Sequence, residues 1–235
     1  FGNALHLVLE HARAADWPDG RAGPSAIRHC RQALLDFGYS PGMAEQGVPV
    51  LAELASNTLL TPLPEGPCLL DLPASEKRHE LEFHLKLEQA DSADILSLLH
   101  HHGYCRKRER FGFNRVLNGL LTGKIDLLYR YAGKAFIVDF KSNTLSDYSP
   151  NALRQSIDDQ EYDLQYLLYT VAVHRWLRQR ITDYAYERHF GGIRYLYARG
   201  LDPAVAGSGI YSDRPAESLV AALDRCFSPG DHGHD

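Results

Sequence analysis

At 235 residues, 44% hydrophobic and 23% charged, the chain can form one large domain or two small ones, and folding would bury roughly 70–75% of the surface its unfolded form exposes. No apolar run approaches the roughly 20 residues a membrane-spanning helix requires, and no cationic leader precedes an apolar segment, so neither a span nor a membrane partner is expected. A formal charge of −5 speaks against gripping nucleic acid through bulk charge alone, because neutralising phosphates takes clustered lysine and arginine.

The opening FGNALHLVLEHARA reads as a helix, and as the interior of one, as expected of a chain cut from a longer polypeptide; it ends before WPDGRAGP, where Pro18, Gly20 and Gly23 break the pattern. Two further helices are predicted over about 24–38 and 42–57, followed by the linker TPLPEGP. RHELEFHLKLE then alternates as a half-buried strand does, with Leu81, Phe83, Leu85 and Leu87 on one side and Glu82, His84 and Lys86 on the other. A short helix over about 92–102 precedes three strands, about 110–120, 124–131 and 135–141, the last two joined by the tight turn Ala132-Gly133. A long helix over about 151–180 carries the stripe Leu164, Leu167, Leu168, Val171 and Leu177. The strand GGIRYLYARG, a Gly/Ser/Pro-rich loop over 202–215 and a helix over 216–226 complete the pattern, with SPGDHGHD as a frayed tail. The order implies an α/β domain divided into a helical segment over 1–60, a core over 61–227 and a tail over 228–235.

Cys30, Cys68, Cys105 and Cys226 are scattered without a C-x-x-C pair, which suggests neither a zinc site nor a disulfide framework and fits a reducing cytoplasm. Two basic clusters stand out, Arg106, Lys107, Arg108 and Arg110 in YCRKRERF, and Arg175, Arg178 and Arg180 in HRWLRQR. Each alone reads as a solvated face; the first is a candidate DNA contact.

KAFIVDFKSN carries the chemistry. AFIV and Phe140 describe a strand covered on both faces, where charges are least expected. Alternation with period 2 points Asp139 and Lys141 to one face and Phe140 to the other. In the preceding KIDLLYR, Ile125, Leu127 and Tyr129 are expected on one face, leaving Asp126 on the other and beside the Asp139 strand. Two carboxylates about 4 Å apart at an effective dielectric near 20 repel by about 4 kcal/mol, more than one lysine neutralises. A hard divalent cation can, and oxygen ligands favour Mg²⁺ or Mn²⁺ over zinc. As a string, D-x(12)-D-x-K is loose; its strand context makes it specific.

IDLLYRYAGKAFIVDFKSN resembles the catalytic core of the PD-(D/E)XK nucleases. GLLTGKIDLLYR, YDLQYLLYTVAVHRWLRQRI, HFGGIRYLYARGLD and GIYSDRP, in that order through roughly residues 105–225, narrow the resemblance to the C-terminal nuclease domains of RecB chains, the beta subunits of bacterial exonuclease V. GNALHLVLE adds a G-x-x-x-H-x-x-x-E helix similar to that of the same group. The resemblance implies a restriction-endonuclease-like core, a central mixed β-sheet flanked by helices. It implies that His6, Asp126, Asp139 and the backbone carbonyl of Phe140 bind Mg²⁺, for which Mn²⁺ would substitute and Ca²⁺ would bind without cleavage, and that Lys141 is the catalytic lysine. His6 and Glu10, four apart, share a helix face, as do Gln165 and Tyr169 of the Q-x-x-x-Y motif. The first acid-bearing strand would end near Glu82. Lys124 and Ile125 stand where the superfamily's name places a proline, a departure usual in this branch.

The activity implied is hydrolysis of DNA phosphodiesters within a bacterial helicase-nuclease that processes double-strand breaks, with RecC and RecD as partner subunits and RecA loaded onto the emerging strand. GLLTGKI is no phosphate-binding loop: three residues separate its glycines and Ile125 follows Lys124 where Ser or Thr belongs. His100, His101 and His102 cannot all face one site on a helix and read as a surface turn. Two rivals remain, a non-catalytic docking or DNA-binding domain on a nuclease fold and a stand-alone endonuclease of the superfamily.

Overall fold

The computed structural model describes residues 1–112 and 115–227; the predicted tail and part of the predicted 110–120 strand lie outside the described residues. The helices α1 (Gly2–Glu10), α2 (Pro24–Asp36) and α3 (Pro41–Leu60) come first. Then follow β1 (Lys77–Asp91), α4 (Ser92–His101), β2 (Val116–Tyr131) and β3 (Lys134–Lys141). After them come α5 (Pro150–Asp159), α6 (Tyr162–Arg178), α7 (Tyr186–His189), β4 (Phe190–Tyr197), β5 (Ile210–Asp213) and α8 (Glu217–Phe227).

The five strands form one sheet in chain order, antiparallel except for the parallel pair β3 and β4. A parallel neighbour requires a crossover, and α5 to α7 supply it. The six inner residues of β3 are all buried, as expected of a strand covered on both faces. Ala135 and Ile137 point into the core shared with α4, α6 and α8, while Phe136, Val138 and Phe140 point into the core beneath α1 to α3. The N-terminal helices thus roof one face of the sheet, which is how α1 comes to lie over the end of β3.

The structure differs from the sequence reading at four places. The strands expected over 110–120 and 124–131 are one 16-residue strand paired with β1 along its length. Glycine reads as a breaker in a linear scan, yet Gly123 sits where an added Cβ would stand 2.6 Å from the Phe83 ring, so its bare backbone leaves room for that ring where β2 pairs with β1. The helix expected over 151–180 is interrupted at Gln160 and Glu161, the latter in a left-handed conformation with φ 52°. The loop over 202–215 contains β5. Its Asp213 carboxylate accepts hydrogen bonds from Tyr166 (2.7 Å) and Tyr104 (3.0 Å), fastening α6 to the sheet edge. Finally, Ile125 packs in the α6 layer rather than with Leu127 and Tyr129.

Cys30, Cys68, Cys105 and Cys226 are free thiols, and burial pushes that of Cys30 up to about 11. Among the described residues no helix is long and apolar enough to cross a membrane. His174 of α6 is buried, with Nδ1 3.0 Å from the Tyr184 hydroxyl, and burial holds its pKa below the usual 6.5 despite nearby Asp224. The unfolded chain therefore binds a proton that the folded one resists, so His174's contribution to stability is complete above pH 6.5 and is lost as pH falls below it. Denaturant titrations at pH 7.5 and 5.5 are expected to show a smaller loss of stability on acidification in His174→Asn than in the wild type.

Candidate active site

β2 and β3 are hydrogen-bonded from the hairpin turn as far as the pair Leu127 and Val138. One residue further on they part, and Asp126 and Asp139 occupy the two sides of the gap. The Asp126 carboxylate bridges it by accepting the Phe140 backbone N–H at 2.8 Å. From above, His6 of α1 places Nε2 2.9 Å from the Phe140 carbonyl oxygen and Nδ1 3.5 Å from Asp126 Oδ1, with its ring edge-on to Phe140. Burial alone would lower the His6 pKa, but Asp126, the Phe140 carbonyl and Asp139 outweigh it and hold the imidazole above its ordinary value.

Asp139 is 3% exposed. Its carboxyl is pushed up to about 6, first by burial and then by the Asp126 charge, against the opposing pull of Lys141 and His6. Lys141 Nζ lies 2.5 Å from Asp139 Oδ1, yet that oxygen, fully buried, has no hydrogen-bond partner of proper geometry. Lys141 instead donates to Gln165 Oε1 at 3.2 Å. Gln165 in turn accepts from the Tyr195 hydroxyl (2.7 Å) and donates to the Tyr169 hydroxyl (2.9 Å), so the Q-x-x-x-Y pair braces the lysine. Tyr169 packs edge-on against Phe83 of β1.

His6, Asp126, Asp139, the Phe140 carbonyl, Lys141, Gln165 and Tyr169 are therefore brought together. Glu10 shares the His6 helix face but makes no hydrogen bond or ion pair with this group; its charge acts on Lys124 of β2. Of the basic cluster, Arg106, Lys107 and Arg108 make contacts within the fold, and Arg110 gives its carbonyl to Arg108. Lys107 pairs with Asp159 and Arg108 with Glu161, bracing the α5–α6 junction, and Arg106 donates to the Gly103 carbonyl.

A residue not singled out in the sequence joins the site from β1. His79 pairs with Leu127 and Leu81 with Ile125, leaving Glu80 opposite Asp126 with φ 51° and its carboxylate 3.0 Å from Lys124 Nζ. Its charge reaches Tyr169. Glu82 lines a separate cleft with Phe83, Trp176 and Gln179. Alternation puts Glu80 and Glu82 on one face, and only the local backbone reversal at Glu80 separates them.

Carboxylates, a carbonyl and one imidazole are a donor set for a hard divalent cation. Two carboxylates share the single Lys141 ammonium, and the raised pKa of Asp139, from burial and then the Asp126 charge, marks the negative charge such an ion would offset. Among the described residues no three His, Cys, Asp or Glu side chains stand close enough to form a ready-made centre: His6 and the Phe140 carbonyl bond each other, and Lys141 leans on Asp139. The residues fit the ion in type and in charge.

The chain is similar to the RecBCD enzyme subunit RecB of Escherichia coli, 40% identical over 237 residues that cover 97% of this chain and 19% of that protein. It is 32% identical over 234 residues to RecB of Haemophilus influenzae, covering 96% and 18%, and 31% identical over 264 residues to RecB of Mycobacterium tuberculosis, covering 98% and 24%. The chain spans about a fifth of the length of these curated relatives. A sequence model of the PD-(D/E)XK nuclease superfamily matches residues 1–199. Reaching from the helix that carries His6, through the strands of Asp126 and Asp139, to beyond β4, that match shows that the chain belongs to the PD-(D/E)XK nuclease superfamily.

Proposed function

We propose that the chain is the Mg²⁺-dependent nuclease domain of a cytoplasmic RecBCD-type enzyme, hydrolysing DNA phosphodiester bonds during double-strand break processing, with RecC and RecD as partner subunits and RecA acting on the product strand. Superfamily membership brings dependence on a divalent metal. The observation that carries the reading is the meeting of Asp126, Asp139 and Lys141 where β2 parts from β3, with His6 set over them by α1.

His6, Asp126, Asp139 and the Phe140 carbonyl would hold the cation, which supplies polarisation of the scissile phosphate and a lowered pKa for water. Lys141, an ammonium fixed by Asp139 and Gln165, is placed to orient the attacking water or to stabilise charge growing on the phosphoryl oxygens. Tyr169 and Tyr195 hold the far end of Gln165 and so keep the lysine aimed. Burial of Asp139 excludes the solvent that would weaken each of these interactions. Glu80, opposite Asp126, adds a third carboxylate at the rim; Glu80→Gln is expected to weaken metal affinity about tenfold or more, as loss of a supporting carboxylate does, measured as the Mg²⁺ concentration that half-saturates cleavage.

The test is digestion of linear DNA by the purified chain, with Mg²⁺, Mn²⁺, Ca²⁺ or EDTA present, alongside closed circular DNA. Cleavage with Mg²⁺ and Mn²⁺ alone is expected. Absence of cleavage with every ion, from a chain that is folded and binds DNA, would favour the docking reading instead.

A further inference from the structure

Lys141 has two ring neighbours that the ligand set and the Q-x-x-x-Y pair do not account for. Tyr162, the first residue of α6, lies with its ring face against the ammonium, Nζ standing 3.8 Å from the ring centroid. The Tyr195 ring flanks the same nitrogen at 4.9 Å. A lysine carries its charge on a flexible four-carbon stem, and a carboxylate with a single amide oxygen leaves that stem free to swing about their common direction. Two ring faces remove that freedom. The Tyr162 hydroxyl is only loosely tied, to the Asn143 side chain at 3.4 Å, so a strong hydrogen bond does not explain where the ring lies.

Tyr195 donates to the Tyr162 carbonyl at 3.3 Å, and the position of Tyr162 is also held from outside the site. Glu161 immediately before it is left-handed, a conformation unfavourable for a residue with a side chain, and it is held there by Arg108, whose Nε donates to Glu161 Oε1 at 3.0 Å. Immediately after it, buried Asp163 accepts the Cys105 backbone N–H at 2.5 Å. Lys107 secures Asp159 at the end of α5. The segment 105–108 thus clamps the interruption between α5 and α6 on both sides of Tyr162, and a continuous helix would carry the ring elsewhere.

We infer that Tyr162 is a positioning residue for Lys141, its ring face fixing the ammonium against the gap between the two aspartates, with the 105–108 segment as its mount. This rests on the nuclease reading and deepens it. With DNA and Mg²⁺ saturating, Tyr162→Leu lowers the single-turnover rate about tenfold, and Tyr162→Phe, which keeps the ring, stays within about twofold of wild type; the DNA concentration for half-saturation is unchanged in both. A second measurement needs no activity. In metal-free protein the Lys141 ε-methylene protons, held over the ring, resonate upfield of other lysines, keep that shift in Tyr162→Phe and lose most of it in Tyr162→Leu. An unshifted Lys141 in the wild type, a Tyr162→Phe variant as slow as Tyr162→Leu, or a Tyr162→Leu variant at the wild-type rate would each overturn the inference. If the wild type does not cleave DNA, the nuclease reading fails while the proton shift still decides the role of Tyr162. Should Tyr162→Leu not fold, the wild type and Tyr162→Phe still decide it.

Discussion

Lys141→Ala is expected to slow cleavage of linear DNA by at least about 100-fold, the usual cost of deleting one preorganised electrostatic group from a reaction that builds negative charge. The effect is confined to chemistry because Lys141 touches little beyond the site: Asp139, Gln165 and two tyrosine rings surround its ammonium. Breaking a buried ion pair generally costs about 3–5 kcal/mol through the charge left behind. Here Asp139 has an escape, since its carboxyl is already pushed up to about 6 by burial and Asp126 and takes up a proton once its cation is gone. The melting temperature is therefore expected to fall by only a few degrees. Lys141→Arg should not restore the rate, because a planar guanidinium cannot take the place of a compact ammonium between two ring faces. Single-turnover cleavage with parallel thermal melts decides the matter; a rate within threefold of wild type would remove Lys141 from the mechanism.

Asp139→Asn separates metal binding from folding. A cation that binds only the folded chain stabilises it by about 2.7 kcal/mol at one hundred times its dissociation constant, which for a domain of this size raises the melting temperature by roughly 5–10 °C. The wild type should show that rise on passing from EDTA to saturating Mg²⁺. Asp139→Asn should show little of it and no measurable cleavage. In EDTA the variant is expected to melt no lower than the wild type, because a buried carboxylate raised in pKa by desolvation opposes folding at neutral pH and the amide carries no such charge. The sign follows from the direction of the shift: a folded-state pKa above the unfolded one costs stability as pH rises through that interval. A metal response retained in Asp139→Asn would move the cation to another site.

Much of this site was legible before any coordinates. KAFIVDFK is so apolar that two charges of opposite sign two residues apart must share a face, and the hairpin turn Ala132-Gly133 brings Asp126 alongside. The family resemblance, through its Q-x-x-x-Y motif, paired Gln165 with Tyr169. What the linear pattern could not supply were backbone conformations that break periodicity. The expected break between the strands 110–120 and 124–131 falls at Gly123, whose close approach to the Phe83 ring, 40 residues away, no linear pattern carries. The interruption at Glu161 was invisible because no glycine or proline marks it, and its cause, the Arg108 and Asp163 contacts, is long-range.

The sequence by itself determined the chemistry: which residue types could meet on one strand face, that their charges need a cation, and which family they resemble. Only the tertiary structure decided the working geometry, including α1 over the end of β3, Glu80 rather than Glu82 opposite Asp126, and Tyr162 against the lysine. The division has a physical reason. Alternation and helical period are local properties of the backbone, whereas left-handed residues, a parted strand pair and a ring against an ammonium persist only when distant contacts hold them in place.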